Sequence, residues 1–265
     1  MTDDGTPGRS EDPAPGEPRV GTGASHRPRR RVWVVACMSA VALVATGGAV
    51  VGVALGRGSS STPPVTALPP PTVAAQLAAL ADLLAPLGQT GWETPSLCDG
   101  WRVREVIAHM TMPARYTEDQ FMAELRSCEF DFGRLSNKIA AEDARLPTTE
   151  LIADLRSDVL GYWTPPEGGY QGALNHTVIH GLDAAVPLGA PRWCSDYALR
   201  TVLEGLTAGG GHAHFGTVID GRRLEASDLD WAYGSGAVLR GPAHELALVL
   251  CARTLPDAHL TGSPL

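Results

Sequence analysis

Three histidines carry the chemistry legible in this chain: His109, His176 and His180. His176 and His180 are four residues apart, so in a helix both rings stack on one face, about one turn from each other. His109 lies in a separate apolar stretch, Val103-Arg104-Glu105-Val106-Ile107-Ala108-His109-Met110. Two packed helices can bring the three rings together, and three protein ligands with an open fourth position make a catalytic rather than a structural zinc site. The same pattern also fits three core histidines with one hydrogen bond each. No Glu follows His176, which excludes the HExxH protease helix. Two carboxylates stand about one helical turn from these rings, Glu105 before His109 and Asp183 after His180. Each can accept a ring N–H and fix the tautomer of a ligand, or equally cap a helix or pair at the surface. Cys98 precedes His109 closely enough to approach a metal, or to be a small buried residue. His212 and His214 form an HxH after a Gly-rich turn and read as loop residues in preference to a second metal site.

Helices have to position these residues. Val73, Leu77, Leu80, Leu83 and Leu84 repeat at helical spacing, predicting a first helix to about Leu87 with Gly88 as its stop. A second helix starts near Arg102 and carries His109, with Pro113 set to kink or break it. A third spans about Phe132 to Arg145. Pro147-Thr148-Thr149-Glu150 starts another, to about Tyr162. After the turn-rich Pro165 to Gly169, the helix Tyr170 to Ala185 carries His176 and His180 and ends before Pro187. Further on, Asp196 to Leu206 reads as a helix, 218–226 as a hairpin, Trp231 to Leu239 as more strand, and Pro242 to Arg253 as a closing helix with Arg at its end. Residues 72–192 thus form a four- to five-helix bundle whose facing helices supply ligands, and residues 193–265 a small α+β unit.

The segment Thr94-Pro95-Ser96-Leu97-Cys98-Asp99-Gly100-Trp101-Arg102-Val103-Arg104-Glu105-Val106-Ile107-Ala108-His109-Met110 resembles the opening of the mycothiol-dependent maleylpyruvate isomerase-like proteins, an actinobacterial branch of the DinB-like metal-binding helical bundles. Gly172 to Asp183, with Pro187-Leu188-Gly189, resembles that family's second metal segment. Asp228-Leu229-Asp230-Trp231 with Gly234-Ser235-Gly236 resembles the start of its C-terminal part, and Leu246 to Arg253 its last helix. The resemblance covers roughly residues 72 to 260. It implies a DinB-like bundle, a divalent metal ion (zinc foremost) on His109, His176 and His180, and mycothiol as cosubstrate. Isomerase-type members carry Glu where this chain has His176. Both residue types bind zinc, so the metal reading stands while the isomerase reading weakens.

Composition bounds the partners. Residues 1–71 hold seven of the 21 basic and five of the 29 acidic residues, so residues 72–265 carry a net charge of −10. A domain this acidic is repelled by phosphate backbones and anionic lipid heads, and no nucleic acid is expected. Residues 1–31 are too polar and too rich in Pro and Gly to bury a core, which predicts a disordered cytoplasmic tail. Residues 32–55 are 24 without a charge, long enough to span a bilayer. Arg27, Arg29, Arg30 and Arg31 precede them, so the positive-inside rule puts the N-terminus in the cytoplasm and the folded part outside an actinobacterial cell membrane. A cleaved signal peptide is the competing reading; no convincing cleavage site precedes Gly56. Residues 56–71 form a Pro, Ser and Thr-rich spacer.

Together these features predict a metal-dependent thiol-using enzyme, an S-transferase or isomerase acting on a small electrophile. Arg223, or its neighbour Arg222, can hold an anionic substrate group as a catalytic residue, or be an exposed strand arginine. The alternatives are a membrane-tethered, non-catalytic metal- or ligand-binding module and a hydrolase with metal-bound water as nucleophile. The predicted topology favours the tethered module, because low-molecular-weight thiols are mainly cytoplasmic. Four cysteines outside the membrane segment (Cys98, Cys128, Cys194 and Cys251) can form disulfides if the domain is exported.

Overall fold

The computed structural model describes residues 1–2, 72–166 and 168–265. The tail, the membrane segment 32–55 and the spacer therefore lie outside the described residues. Among the described residues no helix is long and apolar enough to cross a membrane. The fold is mainly helical, with ten α-helices and one small sheet among those residues.

Helix α1 (Thr72–Leu84) buries Val73, Leu77, Leu80, Ala81 and Leu84, the face its periodicity predicted. A single turn, α2 (Gln89–Trp92), leads to the loop before α3 (Val103–Arg115). That loop is folded back on itself: Ser96 N donates to Trp101 O at 2.9 Å and Val103 N to Thr94 O at 2.9 Å. Helix α3 does not break at Pro113 but continues to Arg115. Proline has no N–H to give the carbonyl four residues back. The neighbouring carbonyls are served by side chains instead: Arg115 Nη2 donates to Ala108 O at 2.7 Å and Thr111 Oγ1 to Ile107 O at 2.7 Å. Arg115 is itself held by Asp143 at 2.8 Å and Asp154 at 2.6 Å, which staples this turn to two other helices.

Helix α4 (Glu118–Ser127) was not expected from its apolar pattern, and none of its residues is fully buried. Its start is a reciprocal cap: Gln120 N donates to Thr117 Oγ1, and Thr117 N donates to Gln120 Oε1. Phe121 and Leu125 lean on a satellite cluster of Met112, Cys128, Leu135 and Ile139. Helix α5 (Phe132–Asp143) matches its predicted position and begins where Asp131 accepts from Arg134 N at 2.9 Å. The stretch predicted as one helix from 147 to 162 is two, α6 (Thr148–Leu155) and α7 (Asp158–Tyr162). Ser157 between them caps the second through Leu160 N.

Helix α8 (Gly169–Ala185) is the central element and is buried on nearly every side from Gly172 onward. Both α1 and α3 pack against it, as do α9 (Asp196–Leu206) and α10 (Ala243–Leu250). Gly181 lets the Trp193 ring lie directly on α8, in the space a Cβ would occupy. One continuous core runs from Val73 through the bundle to Leu224, Leu239 and Cys251, so the C-terminal unit shares its apolar interior with the helices.

The C-terminal sheet has the order β2-β1-β3-β4, with β1 (Arg222–Ala226), β2 (Ala232–Gly234), β3 (Ala237–Gly241) and β4 (Thr261–Gly262). The expected hairpin at 218–226 is absent: only 222–226 is strand, paired antiparallel with β2 and parallel with β3. The chain passes from one side of β1 to the other between Gly234 and Gly236. Both have positive φ, and a Cβ on either would strike the carbonyl of Arg222 or Gly221. Helix α10 ends at Leu250, short of the predicted Arg253. Ala252 takes the left-handed conformation (φ 56°), and Arg253 N closes the end on Leu248 O at 2.9 Å.

Candidate metal centre

The packing of α3 on α8 brings the three predicted histidines together. His109, His176 and His180 are 1%, 6% and 1% exposed. Their ring centroids lie 5.3 Å apart (His109–His176), 5.0 Å (His109–His180) and 4.9 Å (His176–His180). One nitrogen from each ring falls within 4.8 Å of the others. Nε2 of His109 and Nε2 of His176 are 3.4 Å apart. Two ligands bonded at about 2.0–2.1 Å in tetrahedral geometry are separated by about 3.3–3.4 Å. The donor set and its spacing therefore fit a zinc-sized ion without rearrangement of these two rings. Trp101 stacks obliquely on His109 at 5.1 Å, and Trp163 meets His176 edge-on at 5.5 Å, closing the cluster with aromatic walls.

Burial pushes the pKa of His109 well down, and the nearby His180 and His176 push it the same way against the opposing pull of Asp183. His176 is lowered by burial first and then by His180. Neutral imidazole is the form that binds a metal.

Asp183 lies one turn after His180, with its carboxylate within hydrogen-bond reach of that ring. His180 Nδ1 lies 3.1 Å from Asp183 Oδ2, so an Nδ1–H donor leaves Nε2 as the lone-pair nitrogen of that ring. Asp183 is fully buried. Burial opposes its charge, but the Arg253 guanidinium and the His180 bond outweigh burial and hold the carboxyl well below the usual range. Arg253 grips both oxygens, Nε to Oδ1 at 2.8 Å and Nη2 to Oδ2 at 2.9 Å. Cys98 Sγ adds a third donor to Oδ2 at 3.1 Å and lies 3.8 Å from His180 Nδ1. The loop that carries Cys98 is pinned to the same helix, Leu97 N donating to Asp183 O at 3.0 Å.

Glu105 does something else. It accepts from Arg102 N at 2.9 Å and from the Arg102 guanidinium, capping the start of α3. His109 Nδ1 is buried without a hydrogen-bond partner among the described residues. Arg223 lies on β1, paired with Glu225 at 2.6 Å and with its side chain 43% exposed. It lines neither cavity near the histidines. Its neighbour Arg222 is half-buried on the same strand. His212 and His214 sit in a 3₁₀ turn, Gly211–Phe215, where His212 Nδ1 meets Thr217 O at 2.7 Å. The four described cysteines are buried as thiols.

Two hollows flank the cluster. A small one of about 20 Å³ touches His176 and His180 and is otherwise walled mainly by Ile179, Leu206, Phe215 and Cys251. It has room for about one water-sized group. A cleft of about 1450 Å³ opens between the loops 95–102, 186–192 and 252–259. Arg253 lines both. This arginine is the site residue that the sequence reading missed as such. Seventy residues separate it from Asp183, and at the end of a predicted helix it read as a charge complementing the dipole.

Residues 73–161 match the family model described as the mycothiol maleylpyruvate isomerase N-terminal domain. The resemblance read around His109 is thereby shown for that segment, which takes in His109 and stops short of His176 and His180. No curated protein and no solved structure matches the chain significantly.

Proposed function

We propose that this protein is a metal-dependent, thiol-using enzyme of the DinB-like type, with zinc on His109, His176 and His180, acting as an S-transferase or isomerase on a small electrophile with mycothiol as cosubstrate. The observation that carries the reading is the convergence of three buried imidazole rings, one nitrogen of each within 4.8 Å of the others and the His109–His176 pair at 3.4 Å, beside a hollow with room for one more small ligand. An ion held there would lower the pKa of a thiol or water in the fourth position. The chain's own residues supply the rest. Asp183 sets the His180 tautomer, Arg253 keeps Asp183 anionic, and Trp101, Trp163 and Phe215 keep bulk water off the rings. Arg223 remains a candidate for holding an anionic substrate group from the sheet. The match over residues 73–161 favours a thiol over water as the fourth ligand. We also propose a single-pass membrane anchor at 32–55 with the folded domain outside; this placement suits the alternative of a tethered binding module.

The test is metal content followed by cobalt spectroscopy. The purified protein should hold about one divalent ion per chain, and His180→Ala should abolish tight binding. Stoichiometric metal in a His109→Ala/His180→Ala variant refutes the site. In the cobalt form, added thiol should produce a thiolate charge-transfer band near the ultraviolet. A protein that holds one metal and shows no band at saturating thiol is a hydrolase or a binding module instead.

A further inference from the structure

The hollow beside His176 and His180 has a polar side chain in its wall that neither the metal cluster nor the fold uses fully. Asn175 lines it, half-buried on α8 immediately before His176. Its Oδ1 is taken: Gln171, one helical turn back, donates to it from Nε2 at 2.8 Å. The same Gln171 nitrogen donates to Thr201 O at 3.4 Å, and a main-chain carbonyl admits only the nitrogen end of an amide there. Gln171 fits between these acceptors because α9 has glycine at 205, where a Cβ would lie 2.9 Å from that nitrogen. The Asn175 amide is thereby held with its oxygen toward Gln171 and its NH₂ away. Nδ2 has no partner among the described residues, and unlike His109 Nδ1 it keeps contact with solvent. It is an accessible donor whose direction the fold has set.

The other walls give a ligand little else to bond. Ile179, Leu206 and Phe215 are apolar. The Arg253 nitrogens are committed, Nε and Nη2 to Asp183 and Nη1 to Cys251 O at 3.2 Å. Imidazole binds a metal in its neutral form, so a divalent ion on three of them keeps both positive charges. Such a centre draws an anion to complete it, and an anion offers acceptors only. With room for about one water-sized group, the ligand displaces the water that would compete for the Asn175 N–H.

We infer that Asn175 is the ligand-recognition residue of this hollow: its Nδ2 donates a hydrogen bond to the anionic atom seated beside His176 and His180, and so selects acceptors over donors. The atom is a thiolate sulfur or a small anion of the same charge, since both offer the lone pairs that an N–H needs. The inference rests on the metal reading above and adds which side chain recognises the incoming ligand. A hydrogen bond to a charged acceptor is about twice as strong as one between neutral groups, which makes its loss measurable.

The probes are azide, which at neutral pH is an anion with acceptors only and can enter end-on, and 2-mercaptoethanol. They are titrated into the full-length protein loaded with zinc and labelled with ¹⁵N-asparagine. The Asn175 side-chain amide is assigned by its absence from Asn175→Leu. Azide should move that resonance saturably. By calorimetry Asn175→Leu should bind azide about tenfold more weakly, while its zinc affinity stays within about threefold. Gln171→Leu keeps the donor but frees the amide to turn, and should weaken azide by no more than about threefold. Circular dichroism reports folding; if the Leu variant at 175 does not fold, Asn175→Ala and the resonance shift decide. The inference is overturned by an amide resonance that azide leaves in place, by azide affinity within about twofold in a folded variant at 175, or by equal losses at 171 and 175, which mark a merely structural pair. Metal per chain is measured in parallel. Metal bound with no amide shift defeats this inference alone. A shift with azide but none with 2-mercaptoethanol leaves Asn175 standing and defeats the thiol reading. A protein that holds no metal and shows no shift defeats both.

Discussion

Asp183→Asn removes one negative charge from the interior while keeping the shape of the side chain. The carboxylate is 0% exposed and its partner Arg253 4%, so the guanidinium loses the negative charge it is paired with where water cannot readily replace it. Four donors converge on Asp183: two from Arg253 at 2.8 and 2.9 Å, Cys98 at 3.1 Å and His180 at 3.1 Å. An amide can accept at one end only, and its NH₂ then faces donors. Breaking a buried pair by removing one partner costs about 3–5 kcal/mol, and that is the expected loss in urea unfolding at unchanged m-value. Arg253→Met alone should cost a similar amount, because it strands the carboxylate. The double variant should cost less than the two single losses together by at least about 2 kcal/mol, since neither charge is then left behind. Metal affinity in Asp183→Asn should fall about 10–100-fold, as the His180 tautomer is no longer held. A stability loss below about 1 kcal/mol, or strict additivity in the cycle, refutes the ion pair as the keystone between α8 and the C-terminal unit.

Gly181→Ala drives a methyl into the Trp193 ring, which should cost about 1–3 kcal/mol and shift the tryptophan fluorescence; unchanged stability means the ring does not rest on α8 as described. Ala252→Gly relieves a left-handed residue at the end of α10 and should stabilise the protein by up to about 1 kcal/mol in the same urea assay, whereas destabilisation contradicts the φ assigned there. A reporter fused after Leu265 should be active only in an export-dependent format, and a full-length protein recovered soluble from the cytoplasm removes the membrane anchor and favours the thiol enzyme.

Much of the site was legible because its signals are local. His176, His180 and Asp183 share one helix, so their spacing alone put the two rings on one face and the carboxylate a turn away. The helices that carry them, α3 and α8, were legible for the same reason. The reciprocal cap at Thr117 and Gln120 that starts α4 is equally local but was not read, because the apolar face of that helix is weak. Glu105 shows where local reading stops. It had two partners within one turn, the ring at 109 and the free N–H at 102, and the cap prevailed because the Arg102 main chain and guanidinium offer donors together.

Periodicity says which side of a helix is buried; it does not say which helices meet or in what rotation. That the His109 ring reaches His176 Nε2, that Cys98 and Arg253 converge on Asp183, and that Trp193 covers Gly181 all depend on contacts between distant segments. The strand crossing at Gly234 and Gly236 is of the same kind: the sequence shows two glycines, and only the neighbouring carbonyls of Gly221 and Arg222 explain them. Side-chain spacing along the chain picked out the candidate ligands. The close packing of one shared core decided their geometry, because only there do burial and charge act on groups tens of residues apart.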